Sequence, residues 1–286
     1  MSSSELLTAN KLVERIDIPS QPELLISINL EAQKERCNFD LVAEMISNDI
    51  SIASEVLKTV NSPLFGLRKS VTSIQQAVGL MGLHRVIGLV RNVSLRKSVS
   101  KGLNLESFWQ SATKNAQTCA LIAKKTNLID AEEAYTFGLF HDAGIPILMQ
   151  NYSDYQSSLK DASMQSGLEG TKAEDTIYKV NHATVGYYLC DKWFLPEHIC
   201  KAVYYHHRSH FMFNKTKAYD SPFIILLSLL VTSQHIIGAK SQVEAEREYP
   251  NLWNEMQFPL QEIFKLDEEA YSALIADINE QLEATN

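Results

Sequence analysis

The sequence predicts an all-α protein: an N-terminal helical bundle packed against a second helical domain. Three observations lead there. The chain has 11 Gly and 8 Pro in 286 residues, about half the average frequency of these turn-formers, which favours long helices over many short strands. Apolar residues recur at helical spacing along the first hundred residues and beyond. No segment alternates apolar and polar residues long enough to read as a strand. At about 150 residues per domain the length predicts roughly two domains. We place them at 1–100 and 101–240, with a C-terminal helical extension over 241–286. Apolar residues make up 45% and charged residues 21%, so the chain can bury a substantial core.

The elements follow in order. Leu41, Val42, Met45 and Ile46 form the apolar face of a first helix, with Asp40 placed to cap it. Ile52, Ala53, Val56, Leu57 and Val60 belong to a second helix that stops in Asn61-Ser62-Pro63, since Pro63 cannot continue it. Ser73 with Gln76 is a capping box opening a third helix to Gly82, and a fourth covers Val86 to Val93. Short helices with short loops mean antiparallel neighbours.

From about Lys101 a second block begins. Phe108, Trp109, Ala112, Ala116, Cys119, Ala120 and Ala123 make one stripe whose small residues allow close packing. Asp130 to Glu133 opens the next helix, which carries Phe137, Gly138 and His141 and ends near Gly144-Ile-Pro146. Tyr152 to Gly170 is a polar stretch with one exposed helix and a loop. Thr171 to Glu174 opens a helix running through His182, Gly186 and Leu189 to Trp193. Pro196 suits the first turn of the following helix, which leads to His206-His207. Residues 208–221 read as a loop, 222–239 as an apolar helix, and the last forty as a pair of acidic, amphipathic surface helices.

Composition excludes several classes. With 26 basic and 34 acidic side chains the net charge is −8, so the overall basic footprint of a nucleic-acid binder is missing and an anionic membrane surface is disfavoured. A local basic patch at Arg85, Arg91, Arg96, Lys97 and Lys101 reads as a solvated helix face. Cys37, Cys119, Cys190 and Cys200 show no C-x-x-C spacing and read as buried thiols of a reducing compartment, which points to the cytoplasm. The N-terminus carries acids early and no continuous apolar stretch, so no signal peptide is expected. The run Phe223 to Ile237 is shorter than the ~20 residues of a membrane span and reads as core. No phosphate-cradling glycine loop and no G-x-S-x-G elbow is present.

Chemistry concentrates in the histidines. His182, His198, His206, His207 and His210 lie close in sequence, and His141-Asp142 stands at a helix end before Gly144. Imidazole and carboxylate are the usual ligands of borderline divalent metals. Either pair alone reads equally well as a packed or surface histidine, and a His at a helix C-terminus also suits the dipole. Phe194, Tyr204, Tyr205, Phe211 and Phe213 are core or pocket-lining aromatics.

Taken in order these segments resemble a known family. Phe137-Gly-Leu-Phe-His141-Asp142-Ala-Gly144 resembles the G-L-L-H-D-x-G signature of the HD superfamily. His182-x3-Gly186-x2-Leu189-x3-Trp193-x-Leu195-Pro196-x9-His206-His207 looks like its next block. Ile46-Ser-Asn-Asp49-x7-Leu57-x3-Asn61-Ser62-x2-Phe65-Gly66, then Ile74-x2-Ala77-Val78-x2-Met81-Gly82, is similar to the opening of HDOD domains, the HD-related output domains of bacterial signalling proteins. The resemblance covers roughly residues 15 to 240. It implies a helical bundle packed against an HD-like helical domain.

The departures bear on function. The resemblance implies a His near Ser111 and an Asp near Ser233-Gln234 in catalytic relatives; here Ser111 and Gln234 stand at the lost-ligand positions. Relatives that cut cyclic dinucleotides hold a further metal at positions matching Asp142, His182, His206 and His207, with His141 beside them, and all are present. The leading expectation is a non-catalytic regulatory or scaffolding protein of the cytoplasm. It would present a helical surface, or a ligand pocket at the HD-like site where the halves join, to a signalling partner in trans, with no separate receiver, kinase or cyclase domain attached. No cofactor is required by that expectation; one divalent ion (Fe, Mn, Ni or Zn) at the residual site is its variant. The second hypothesis is a metal-dependent phosphohydrolase acting on a nucleotide or cyclic dinucleotide, the third nucleic-acid association through Arg85–Lys101. A homodimer through the acidic C-terminal helices is a further expectation.

Overall fold

Helices form all the regular structure among the residues that the computed structural model describes, which are 15–61, 70–166, 170–215, 218–238 and 252–284. They divide into two compact units, Pro19–Lys101 and the combination of Met1–Ile18 with Gly102–Asn286.

The unit Pro19–Lys101 contains α1 (Glu23–Ala32), α2 (Phe39–Asn48), α3 (Ile50–Val60), α4 (Ile74–Met81) and α5 (Leu83–Val99). Val42 and Ile46 of α2 and Ile52, Val56 and Val60 of α3 are buried, as their spacing predicts, and Ala43 is buried with them, while Leu41, Met45, Ala53 and Leu57 of the predicted faces are half-buried. The cap of α2 is not Asp40. Asn38 stands at the N-cap and its side-chain oxygen accepts from the Leu41 N–H at 3.1 Å. Asp40 lies one residue inside, where a carboxylate suits the positive end of the helix. Asp49 caps α3 by accepting from Ile52 N–H at 2.9 Å. Ser73 caps α4 through Gln76 N–H, but the Gln76 side chain returns to Thr72 rather than to Ser73.

Asn61 ends α3 and its side-chain amide clamps both backbone groups of Val71 at 2.8 Å. Ser62, Pro63, Phe65 and Gly66 lie outside the described residues. Gly82, at φ +86°, joins α4 to α5 without a loop. The helix predicted over Val86–Val93 therefore extends to Leu83–Val99. Its predicted basic face is uneven: Arg85, Arg96, Lys97 and Lys101 are exposed, but Arg91 is half-buried.

In the second unit α6 (Glu106–Thr126) lies along α7 (Ala131–Phe140) and α14 (Pro222–Ile237). The small-residue stripe of α6 is what admits α7. A Cβ added to Gly138 would come 2.7 Å from the Cα of Ala116. Asp130 caps α7 through the N–H groups of Glu132 and Glu133. The helix closes at Phe140, and Gly144-Ile-Pro146 does not end it but opens α8 (Gly144–Asn151), where Pro146 falls in the first turn and needs no intrahelical partner. After α9 (Tyr155–Ser166) the predicted single helix from Thr171 to Trp193 is two: α10 (Gly170–Ile177) and α11 (His182–Lys192). Lys179 at φ +63° turns the chain, and Asn181 caps α11 by accepting from Thr184 N–H at 2.9 Å.

Pro196 occupies the N-cap of α12 (Glu197–Tyr205). A 3-10 turn over His206–Arg208 follows, and the stretch expected to be a loop contains α13 (Ser209–Lys215). Phe213, 1% exposed, anchors it in the core. α14 buries Ile224 to Leu230, Thr232 and Ser233. The C-terminal helices α15 (Leu252–Phe264) and α16 (Glu268–Glu283) bury Met256, Leu260, Ile263, Tyr271 and Ile278, packing on α13, α14 and α6. Cys119, Cys190 and Cys200 are buried free thiols, whereas Cys37 is half-buried. No helix among the described residues is long and apolar enough to cross a membrane.

Candidate metal centre

Four side chains from three places in the second unit converge. Asp142 lies in the turn between α7 and α8, His182 is the first residue of α11, and His206 and His207 form the turn after α12. One ligand atom from each lies within 4.8 Å of every other. Asp142 Oδ1 is 3.2 Å from His206 Nε2 and 3.5 Å from His182 Nε2, and the Nε2 atoms of His182 and His207 are 2.8 Å apart.

The rings are held from behind. His182 places Nδ1 2.8 Å from both oxygens of Glu174, and His206 places Nδ1 2.6 Å from the Val203 carbonyl. His141, 2% exposed, places Nδ1 2.7 Å from the Gly138 carbonyl and Nε2 3.0 Å from Asp142 Oδ2. The Nδ1 atoms of His182 and His206 each face an acceptor, so each carries a proton, and when such a ring is neutral its Nε2 keeps the lone pair. His141 Nε2 lies against one oxygen of Asp142 and leaves the other to His182 and His206.

Charge is distributed unevenly. Burial disfavours the cationic form of His182, but Glu174 and then Asp142 outweigh it, and its pKa is pushed up to about 10. Burial and the neighbouring imidazoles push His206 down, although Asp142 opposes them. His207 presents one edge to solvent, yet packing around its ring and the neighbouring imidazoles of His206 and His182 hold its pKa well below the usual value. Asp142 stays ionised: burial raises its pKa, but His141 first, then His182 and His206, take it well below the carboxylate range. Without an ion, the protonated His182 directs its Nδ1–H at Glu174 and its Nε2–H at the His207 Nε2 lone pair. Three imidazole nitrogens and a carboxylate oxygen within 4.8 Å of one another match the donor set of a borderline divalent cation, so the residues fit such an ion.

The other expected residues fall elsewhere. Ser111 is exposed on α6 and Gln234 half-buried on α14. One turn on from Ser111, Asn115 is buried, and its Oδ1 accepts from the Ser233 hydroxyl at 3.0 Å. His198 pairs with Glu133 at 3.0 Å and His210 is half-buried, both apart from the four. Phe213 is core, while Phe194 and Phe211 are exposed, so the aromatics form no common lining. Sequence reasoning missed Glu174 and Tyr155. Glu174 looks like a helix-opening acid; the one available signal is that it shares a helical face with Ile177 and Tyr178.

Comparison with known proteins agrees with the helical fold. The chain is 26% identical over 204 residues to an uncharacterized protein of Treponema pallidum (strain Nichols), covering 70% of this chain and 39% of that protein's length. It therefore spans well under half of that relative. An HDOD domain protein of unknown function from Geobacter sulfurreducens has the same fold, with a TM-score of 0.74, 18% identity, and coverage of 100% of this chain and 97% of that one. A candidate metal-dependent phosphohydrolase from Shewanella amazonensis SB2B matches with a TM-score of 0.68 and 15% identity over 100% and 99% of the two chains. The HDOD domain model matches residues 18–209, a span that contains all four converging side chains, and the chain belongs to the HDOD family.

Proposed function

We propose that this chain is a regulatory protein of the signalling type whose HD-like half holds one divalent ion on Asp142, His182, His206 and His207, and that its output passes through contacts with a protein partner rather than through hydrolysis. The observation that carries the reading is the set of four donor atoms mutually within 4.8 Å, with the rings of His182 and His206 locked through Nδ1. Four protein ligands fill a tetrahedral shell and leave no open position, the pattern of a structural rather than a catalytic ion. Imidazole-rich sites favour Zn, Fe or Ni over Mg or Ca.

The buried polar pair Asn115 and Ser233 supports the non-hydrolytic part. These residues lie near the two places where the family resemblance puts the remaining ligands, and they are neutral and bonded to one another. Neither is a good donor for a second ion.

The test is metal analysis of protein purified without added metal, beside His182→Ala and His206→Ala. About one equivalent in the wild type, lost in both variants, is the expected result; metal that ignores both substitutions overturns it. Assays against cyclic dinucleotides and generic phosphoesters with Mn, Fe or Ni supplied are expected to show no turnover. Metal-dependent turnover abolished by Asp142→Ala would establish the second reading, a phosphohydrolase. One observation favours that reading: the Asp142 side chain is 30% exposed, so solvent reaches the centre. A bound divalent ion would there act as a Lewis acid and lower the pKa of a bound water.

A further inference from the structure

We propose that Glu174 and Tyr155 are positioning residues of this centre, a buried carboxylate and phenol that fix His182 with Nε2 toward the ion; this rests on the metal reading above. Neither residue is on an element that supplies a ligand: Tyr155 is on α9 and Glu174 on α10. Glu174 is 2% exposed and Tyr155 4%. Burying a carboxylate is unfavourable unless its oxygens are satisfied, and here the donors come from two residues. The His182 backbone N–H donates to Oε2 at 2.9 Å, its Nδ1–H lies 2.8 Å from both oxygens, and the Tyr155 hydroxyl donates to Oε1. The Tyr155 ring is itself held, stacked at 5.8 Å on Tyr178.

The contrast with the other rings is what assigns a role. His141 and His206 lean on neutral backbone carbonyls, whereas His182 leans on an anion. A carboxylate behind Nδ1–H fixes the tautomer and the ring rotation and makes the opposite nitrogen a stronger ligand. Because Glu174 also takes the backbone N–H of His182, it sets the position of the first residue of α11 as well as the direction of its ring. Tyr155 acts through Glu174, by holding one carboxylate oxygen in place.

The experiment measures Co(II) and Zn(II) affinity by competition with a chelating dye, together with the visible absorption of the Co(II) protein, on wild type, Glu174→Gln, Tyr155→Phe and Thr176→Ala. Thr176 is exposed on α10 and its hydroxyl donates to the Lys172 carbonyl of the same helix, so it reports on damage to α10 alone. Glu174→Gln is expected to weaken binding by about 10–100-fold, to shift the Co(II) bands, and to keep a stoichiometry of one at saturating metal. Tyr155→Phe is expected to weaken it in the same direction by less, and Thr176→Ala to leave affinity and spectrum unchanged. A wild type that takes up neither metal overturns the metal reading and this inference with it. A wild type that binds, with a folded Glu174→Gln equal to it in affinity and spectrum, overturns this inference alone. If Glu174→Gln does not fold, Tyr155→Phe decides: unchanged affinity and spectrum overturn the proposal.

Discussion

Gly144 and His182 meet backbone to backbone: a Cβ added to Gly144 would lie 2.1 Å from the His182 carbonyl oxygen and 2.9 Å from Gly186 N. The glycine after His141-Asp142 therefore lets the start of α8 sit against the first turn of α11, which brings Asp142 to His182. Neither neighbour is a flexible side chain that could yield, so Gly144→Ala must part the two helices. We expect a loss of about 2–3 kcal/mol in chemical denaturation, as for overpacked cores. Metal affinity should fall by more than tenfold in the protein that remains folded. An unaltered affinity would mean that Asp142 and His182 are not held to one another by this contact.

The pH dependence of the metal-stripped protein follows from the shifted groups. His182 has its pKa raised from 6.5 to about 10, so its contribution to stability is complete below pH 6.5 and is lost as the pH rises toward about 10. His206 and His207 are lowered, so theirs is complete above 6.5 and is lost as the pH falls below it. Asp142 and Glu174 are lowered too, and their contributions disappear only in stronger acid. Melting temperatures of the stripped protein should therefore peak near neutral pH and decline toward pH 10. A bound ion needs the Nε2 lone pair of His182, so proton and metal compete, and metal affinity should rise with pH over the same interval. A melting temperature of the stripped protein that keeps climbing from pH 7 to 10 would contradict the assignment of the proton to His182.

Much of this was legible because short-range pattern and packing agree. The stripe of Ala112, Ala116 and Ala123 and the glycine at 138 announce a close helix pair, and α6 and α7 form one. The four converging side chains were readable as a set only through the family resemblance, which matches each of them to a motif position. What could not be read depends on chain reversal. The break between α10 and α11 requires Lys179 to adopt positive φ, which no residue there advertises as a glycine would. Only that reversal carries Glu174 behind His182. Likewise, residues 208–221 look polar, yet part of them is a helix that buries Ser209 and Phe213.

The cap of α2 offers a clean local check. Asn38 and Asp40 are both cap-forming residue types, and the hydrogen bond to Leu41 N–H selects Asn38. Asn38→Ala should cost about 1 kcal/mol, whereas Asp40→Ala loses only a favourable charge near the helix start, about 0.3–1 kcal/mol. Denaturation midpoints at high salt separate them further, because screening removes the second effect and not the first. The reverse order of costs would return the cap to Asp40.

Asn115 and Ser233 give the sharpest test of a one-ion centre. Both are buried, at 3% and 0% exposure, and the Ser233 hydroxyl donates to Asn115 Oδ1. Ser233→Ala leaves that oxygen without its donor and should cost about 1–3 kcal/mol. Asn115→Ala should cost at least as much, since it also leaves a cavity. The double substitution should cost less than the sum, with a coupling of about 0.5–3 kcal/mol. If the two residues serve each other, all three variants keep the metal content of the wild type once folded. Loss of metal on Ser233→Ala alone would place the pair within reach of an ion and argue for a second metal position.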